Sequence, residues 1–396
     1  MTALVIRGDA RTLPLPDASV DLIVTSPPYW ALRSYTDGGE HYAGQIGDEP
    51  TPAEYVDNLL DCTREWMRVL KPSGSIFVNL GDKYNSAASG GRGKSLAAVS
   101  AERYRGGGHS SGKARRATEA VPNYPSKSLL GLPWRYALGC VDELGLILRA
   151  EIIWSKPNGL PESVTDRVRR SHEQWFHLVK QPRYFSAVDE IREPHTAPGR
   201  AAGVGAFGAR NASITRTGTG AYEGQNPLGK LPGSVWEVAT QPLKVPDELG
   251  VEHFAAFPME WPRRLILGWS PAGICTACGE GRRPVIYSPR RNRRYRERVR
   301  LGIRPEITGY ACACPTPDAP TRPAVVLDPF GGTGTTALVA SVLGRVGITV
   351  DRSADYCRIA QWRTQDPGER ARALGLPKPQ PVPEGQPSLF EGEGFG

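Results

Sequence analysis

Ala324-Val325-Val326-Leu327-Asp328-Pro329-Phe330-Gly331-Gly332-Thr333-Gly334-Thr335-Thr336 runs from an apolar strand into a glycine-rich turn. A helical pattern follows, Ala337-Leu338-Val339-Ala340-Ser341-Val342-Leu343, and closes at Gly344. A second strand, Val346-Gly347-Ile348-Thr349-Val350, ends on Asp351. Strand, glycine loop, helix, strand and terminal acid make one βαβ unit of the nucleotide-binding kind. The glycines let backbone approach a ligand, and the acid can accept from ribose hydroxyls. Read alone, Gly332-Thr333-Gly334-Thr335-Thr336-Ala337 also fits the dinucleotide fingerprint. Asp328 argues against that reading, because it sets a carboxylate where a pyrophosphate would want none; a cationic ligand suits it better.

A second signal stands near the other end of the chain. The apolar run Val20-Asp21-Leu22-Ile23-Val24 leads into Thr25-Ser26-Pro27-Pro28-Tyr29-Trp30. Proline fixes its own φ and restrains the residue before it. Two in a row hold the following carbonyls and the Tyr29 ring with little entropy left to lose. A rigid hydroxyl, carbonyl and aromatic suit a flat, hydrogen-bonding substrate such as a nucleobase. This turn has no role in hydride transfer.

Between the two signals, strand and helix patterns alternate. Residues 3–9 and 20–25 read as strands. Thr51-Pro52-Ala53-Glu54 is a capping box that opens a helix carrying Tyr55, Leu59, Trp66 and Leu70 on one side. Ser75-Ile76-Phe77-Val78-Asn79-Leu80 is the next strand, residues 128–144 read as a helix kinked at Pro133, and 148–154 and 174–179 are strands again. The expected fold is α/β: a doubly wound, mostly parallel, Rossmann-like sheet with a small insertion. In such sheets ligands bind beyond the carboxyl ends of the strands, so both motifs should meet on one rim.

Together the two motifs resemble the amino-methylating DNA methyltransferases that use S-adenosyl-L-methionine. The order, catalytic turn first and cofactor loop last, is similar to their circularly permuted β group, and the likeness covers most of residues 1–365. It implies that Ser26, Pro27, Pro28 and Tyr29 form the catalytic turn. It implies that Asp9, within Arg7-Gly8-Asp9-Ala10, reaches the cofactor's adenine amino group. The stretch Pro232-Gly233-Ser234-Val235-Trp236-Glu237, with His253-Phe254-Ala255-Ala256-Phe257-Pro258, would pack over the methionine end through Phe257 and Pro258. Asp328, Pro329, Phe330, Gly331, Gly332, Thr333, Gly334 and Asp351 would line the rest of the cofactor site. Ile153-Trp154-Ser155-Lys156-Pro157-Asn158 and His172-Glu173 resemble segments around the target-base pocket. The implied chemistry is methyl transfer to the exocyclic amino nitrogen of a flipped base in double-stranded DNA. Ser at position 26 leans towards cytosine N4, since relatives acting on adenine N6 more often carry Asp there.

The domain boundaries expected from this reading are residues 1–190 for the catalytic half, with a flexible insertion at 85–120, and 191–250 for target recognition. Residues 251–274 and 320–365 form the cofactor-binding half, 275–319 a zinc-binding insertion, and 366–396 a disordered, Pro/Gly/Glu-rich tail. Within 85–120, Gly93-Lys94-Ser95 hints at a phosphate loop, but the motif needs glycine where Ala88 stands.

Cys275, Cys278, Cys312 and Cys314 form two close pairs, C-x2-C and C-x-C, which suit a tetrahedral structural Zn2+ site with no open coordination position. The run Arg290-Arg291-Asn292-Arg293-Arg294-Tyr295-Arg296 between the pairs reads as a phosphate-contacting arm. Cys62, Cys140 and Cys357 sit in helical patterns and read as core. Lys plus Arg outnumber Asp plus Glu by 49 to 41, which favours a polyanionic partner. No signal-peptide or membrane-spanning pattern is present, and an odd number of cysteines argues against a disulfide framework. A soluble, cytoplasmic protein is expected. Gln386-Pro387-Ser388-Leu389-Phe390 looks like a sliding-clamp docking peptide. Two other readings were open to these residues: methylation of protein glutamine or RNA, and a zinc-stabilised DNA-binding protein without catalysis. The Ser before the prolines and the permuted order disfavour the first, and the complete cofactor loop the second.

Overall fold

The computed structural model describes residues 3–32, 36–37, 40–41, 44–85, 121–159, 161–162, 164–194, 228–250, 256–287, 306–316 and 318–377. The main-sheet strands are β1 (Ala3–Arg7), β2 (Val20–Thr25), β3 (Leu70–Leu80), β4 (Ile147–Ser155), β5 (His172–Val179) and β6 (Val235–Glu237). A separate hairpin pairs β7 (Arg283–Tyr287) with β8 (Glu306–Ala311), and the sheet is completed by β9 (Val325–Asp328) and β10 (Val346–Asp351). The helices are α1 (Pro52–Val69), α2 (Leu132–Asp142), α3 (Glu260–Trp269), α4 (Thr335–Val342), α5 (Ala354–Gln365) and α6 (Pro367–Leu374).

The eight strands lie in the order β1-β10-β9-β2-β3-β5-β4-β6. Every neighbouring pair is parallel except those made by β5, which runs against both β3 and β4. The expected mostly parallel α/β sheet is therefore present. Side chains alternate between two cores, as the strand period of two requires. Ile23, Ile76 and Val78 face the core under α1 and α2, while Leu22, Val24 and Phe77 face the core under α3 and α4. Cys62, Cys140 and Cys357 are buried, as expected.

Three departures have clear physical causes. Pro133 does not kink a helix: α2 begins at Leu132, so the proline sits in the first turn, where its missing N–H costs nothing. Leu70 is the first residue of β3 rather than the last of α1. The tail is not disordered from 366 onward. Asp366 Oδ1 accepts from the Glu369 amide at 2.7 Å, Pro367 occupies the first turn, and Gly375 stops α6 with φ +73°. This is the capping logic of Thr51-Pro52-Ala53-Glu54 repeated. No helix among the described residues is long and apolar enough to cross a membrane. The 85–120 insertion from residue 86, the arginine run and the clamp-like peptide lie outside the described residues, as do 195–227 of the 191–250 segment.

Candidate active site and cofactor loop

The two motifs meet at the carboxyl rim of the sheet. Thr25, the last residue of β2, donates from Oγ1 to Asp328 Oδ1 at 2.7 Å and so ties together strands 303 positions apart in sequence. Ser26 follows, half-buried, and its hydroxyl donates to Asn79 Oδ1 at 3.3 Å. Asn79 is buried at the tip of β3, and its Nδ2 donates to the Gln174 carbonyl at 3.0 Å. That bond fixes the amide orientation and turns Oδ1 towards the hydroxyls. Because the Ser26 proton points at Asn79, the remaining oxygen lone pairs stay available as acceptors.

The Tyr29 hydroxyl proton lies between Asn79 Oδ1 at 2.8 Å and Glu173 Oε2 at 2.7 Å. Burial, with the Glu173 charge beside it, pushes this phenol well above its ordinary range, so it stays protonated. The ring packs so closely on Gly81 that a Cβ there would stand 2.6 Å from Tyr29 Cε2. The other Glu173 oxygen pairs with Lys156 Nζ, which lies 4.1 Å from the Trp154 ring centroid. Behind the turn, Tyr55 Oη donates to the Pro28 carbonyl at 2.8 Å. Trp30 is buried, with Nε1 donating to the Glu49 carbonyl at 3.0 Å, so it is core and does not line the pocket.

The glycine loop is held from below. Gly331 N donates to the Val350 carbonyl at 2.9 Å, and an added Cβ would fall 1.4 Å from Thr349 Oγ1. Gly332 (φ +47°) donates its amide to Asp351 Oδ2 at 2.9 Å, and Gly334 (φ +73°) caps α4. Phe330 meets Trp66 edge-on at 5.9 Å, and Pro329 is buried.

Asp328 departs from its expected role. Its carboxylate is 1% exposed and accepts from Thr25, from the Phe330 amide at 3.2 Å and from Thr336 Oγ1 at 2.8 Å. It anchors the loop and is not open to a cationic ligand. Burial pushes it up to about 6, opposed by those same bonds.

Two acids do remain at the rim. Asp351 ends β10, and Asp9 follows the paired strand β1. For Asp9, burial alone would raise the carboxyl. Hydrogen bonds from the Arg11 guanidinium and amide outweigh it and hold the group below its ordinary range. Phe257 is half-buried and edge-on to Trp175 at 5.8 Å, with buried Pro258 behind it.

Residues that sequence reasoning missed brace the site. Asn79 lay in a stretch read only as strand, although a polar side chain in an apolar run is itself a signal. Arg363 is 3% exposed. Its Nη1 donates to Thr333 Oγ1 at 3.0 Å and Thr335 Oγ1 at 2.7 Å, and its Nε to Glu369 Oε2 at 2.7 Å. Helix α6, in the segment expected to be disordered, thus supplies the carboxylate that holds the loop's arginine.

The four cysteine sulfurs lie within 4.8 Å of one another, with Cys275 and Cys314 at 3.9 Å. Tetrahedral thiolates about 2.3 Å from zinc would stand about 3.8 Å apart, so the cluster fits that ion. Gly279 (φ +74°) returns its amide to the Cys275 carbonyl at 2.9 Å, and the Thr316 amide points at Cys314 Sγ at 3.4 Å. Amides of Cys278 and Ala277 pull the Cys275 thiol below its ordinary range, while the neighbouring thiols Cys278 and Cys314 are raised. Ile274–Cys275 pairs with Thr321–Arg322, just before β9. The cluster therefore sits at the amino ends of the parallel strands, on the rim opposite Ser26.

A Rossmann-like sheet with a glycine loop at its carboxyl rim, beside a Ser-Pro-Pro-Tyr turn, defines a methyltransferase-type α/β enzyme. A family profile described as DNA methylase, of the N6/N4 methyltransferase type, matches residues 20–275 and 321–362. The chain belongs to this family of DNA amino-methyltransferases. It is similar to the type II methyltransferase M.XycI of Xanthomonas campestris pv. cyanopsidis, at 32% identity over 91% of this chain and 86% of that protein. It is also similar to M.SmaI of Serratia marcescens, at 29% identity over 91% and 89%, and to M.Cfr9I of Citrobacter freundii, at 33% over 68% and 74%. Among solved structures, PvuII DNA methyltransferase (cytosine-N4-specific) shares the fold with a TM-score of 0.52 at 17% identity, covering 95% of this chain and 91% of that one.

Proposed function

We propose that this chain transfers a methyl group from S-adenosyl-L-methionine to cytosine N4 in double-stranded DNA, at a sequence read mainly by residues 191–250. The observation that carries the reading is the junction of Ser26, Asn79, Tyr29 and Glu173 with the glycine loop, tied through Thr25 and Asp328.

The residues present fit the cofactor. Open space lies where a Cβ of Gly332 would project, Asp351 and Asp9 offer acceptors for ribose and adenine, and Phe257 and Pro258 give an apolar wall. When bound, S-adenosyl-L-methionine supplies an electrophilic methyl group. The exocyclic amino nitrogen is a poor nucleophile because its lone pair is delocalised into the ring. Ser26 Oγ and the Pro27 carbonyl accept the amino hydrogens and draw that pair out of conjugation. Tyr29, fixed by Gly81 and by its hydroxyl bonds, is a stacking surface for an extruded base. The Ser26 hydroxyl, rather than a carboxylate, supports cytosine over adenine.

Nucleoside mass spectrometry of mixed-sequence duplex DNA, incubated with the chain and labelled cofactor, tests the reading. N4-methylcytosine is expected. N6-methyladenine would overturn the base assignment, and no labelled nucleoside from cofactor-bound protein, on DNA that contains every short target sequence, would overturn DNA as substrate. The type II methyltransferase relatives support a modification role beside a restriction nuclease.

We further assign Cys275, Cys278, Cys312 and Cys314 to one structural zinc ion. Metal analysis should find one zinc per chain. Strong chelation should lower the melting temperature by about 10 °C, since a structural site contributes folding energy. Cofactor affinity should survive mild chelation, because the cluster lies on the opposite rim. No bound zinc and no change in melting would refute the assignment.

A further inference from the structure

Between β4 and β5 the structure describes residues 156–159, 161–162 and 164–171, a segment that starts at Lys156, the partner of Glu173 beside the Tyr29 hydroxyl. At its tip Val168 is 85% exposed, and the next most exposed large hydrophobic among the described residues is Val235 at 63%. A valine left in water forgoes about 1.5 kcal/mol or more of burial. Flexibility does not account for this exposure, because the tip is tied down on both sides.

Arg167 Nη1 donates to Glu162 Oε2 at 2.8 Å and to the Val168 carbonyl at 3.0 Å, and its guanidinium lies 3.8 Å from the Tyr84 ring centroid. Arg169 Nη1 donates to the Gly159 carbonyl at 3.0 Å while the side chain stays exposed. Arg170 pairs with Asp82 at 3.5 Å and donates to Gln174 Oε1 at 3.2 Å.

The Arg170 partners belong to the catalytic turn's own supports. Asp82 follows Gly81, on which the Tyr29 ring packs, and the Gln174 carbonyl orients Asn79. The tip is thus an apolar knob between arginines, held in fixed relation to Tyr29. Apolar side chains of this kind enter base stacks while neighbouring cations meet phosphate.

We propose that Val168 enters the duplex at the target step and occupies the space left by the extruded base, with Arg169 on the adjacent phosphate. The proposal rests on the base-methylation reading above. It adds a residue that stabilises extrusion without touching the reacting atoms. Extrusion costs least when the target base is already mispaired. A residue that fills the vacated space is therefore needed for a paired target and dispensable for a mispaired one.

The test compares the unsubstituted chain with Val168→Gly and Val168→Leu on duplex oligonucleotides carrying the recognition site, located first by sequencing the methylated positions in DNA treated with the unsubstituted chain. One set has a paired target; the other has its target base opposite an abasic position. Val168→Gly should lower kcat/KM on the paired duplex by about tenfold, and by less than about twofold on the abasic one. Val168→Leu should stay near the unsubstituted value on both, and cofactor Kd should be unchanged in all three. Equal losses on the two duplexes, or no loss on the paired one, would overturn the proposal. Failure of the underlying reading looks different: the unsubstituted chain would then methylate neither duplex.

Discussion

Ser26→Ala should lower kcat by about a hundredfold or more while leaving cofactor Kd near its original value. The size follows from removing one acceptor aimed at charge that develops only in the transition state. The selectivity follows from the geometry. The Ser26 hydroxyl bonds Asn79, whereas the loop anchor is Thr25, the preceding residue, through Asp328. Losing the Ser26 oxygen therefore leaves the β2–β9 tie and the glycine loop intact. Single-turnover kinetics with cofactor binding measured separately would check this. An equal fall in kcat and cofactor affinity would mean that the turn and the loop are one structural unit, not an acceptor beside a cofactor site.

The second large effect is expected at Gly331. A Cβ there would lie 1.4 Å from Thr349 Oγ1 and 2.7 Å from Thr349 Cβ, so Gly331→Ala cannot be relieved by rotating the threonine alone. The loop must lift from β10, breaking the bond from Gly331 N to the Val350 carbonyl and disturbing the one from Gly332 N to Asp351. Cofactor affinity should fall by about a hundredfold, since a shift of an ångström in positioning groups can cost that much. Thr349→Gly in the same chain should restore part of the loss. Calorimetric titration of both variants decides it, and wild-type affinity in Gly331→Ala would show that the loop does not carry the cofactor.

How far the sequence reached differs from element to element. The βαβ unit was legible because its strand period, glycines and terminal acid are all local signals. The capping box at Thr51 was legible for the same reason. Asp366-Pro367-Gly368-Glu369 carries an identical cue, yet the Pro/Gly/Glu-rich composition downstream obscured it, and α6 was missed. The helix is ordered because it docks: Glu369 meets Arg363, and Arg370 Nη1 donates to Ser341 Oγ at 3.2 Å.

The partners of the site residues were not legible. Asp328 read as an open carboxylate because nothing local shows that Thr25 and Thr336 close over it. Asn79 read as a strand residue because its acceptor role depends on Gln174, which is 95 positions away.

The chain's local patterns by themselves displayed the βαβ unit, the strands near 3–9, 20–25, 75–80, 148–154 and 174–179, the helix opening at Thr51, the two rim motifs, and two close cysteine pairs. Periodicity, capping and turn chemistry act over a few residues, and the sequence displays them directly. Tertiary structure alone decided which way each polar group faces: Asp328 inward as an anchor, Asn79 towards Ser26 and Tyr29, Arg363 under the glycine loop, and the cysteine cluster on the far rim. Those choices depend on burial and on hydrogen bonds between residues tens to hundreds of positions apart, which only the packed sheet brings within reach.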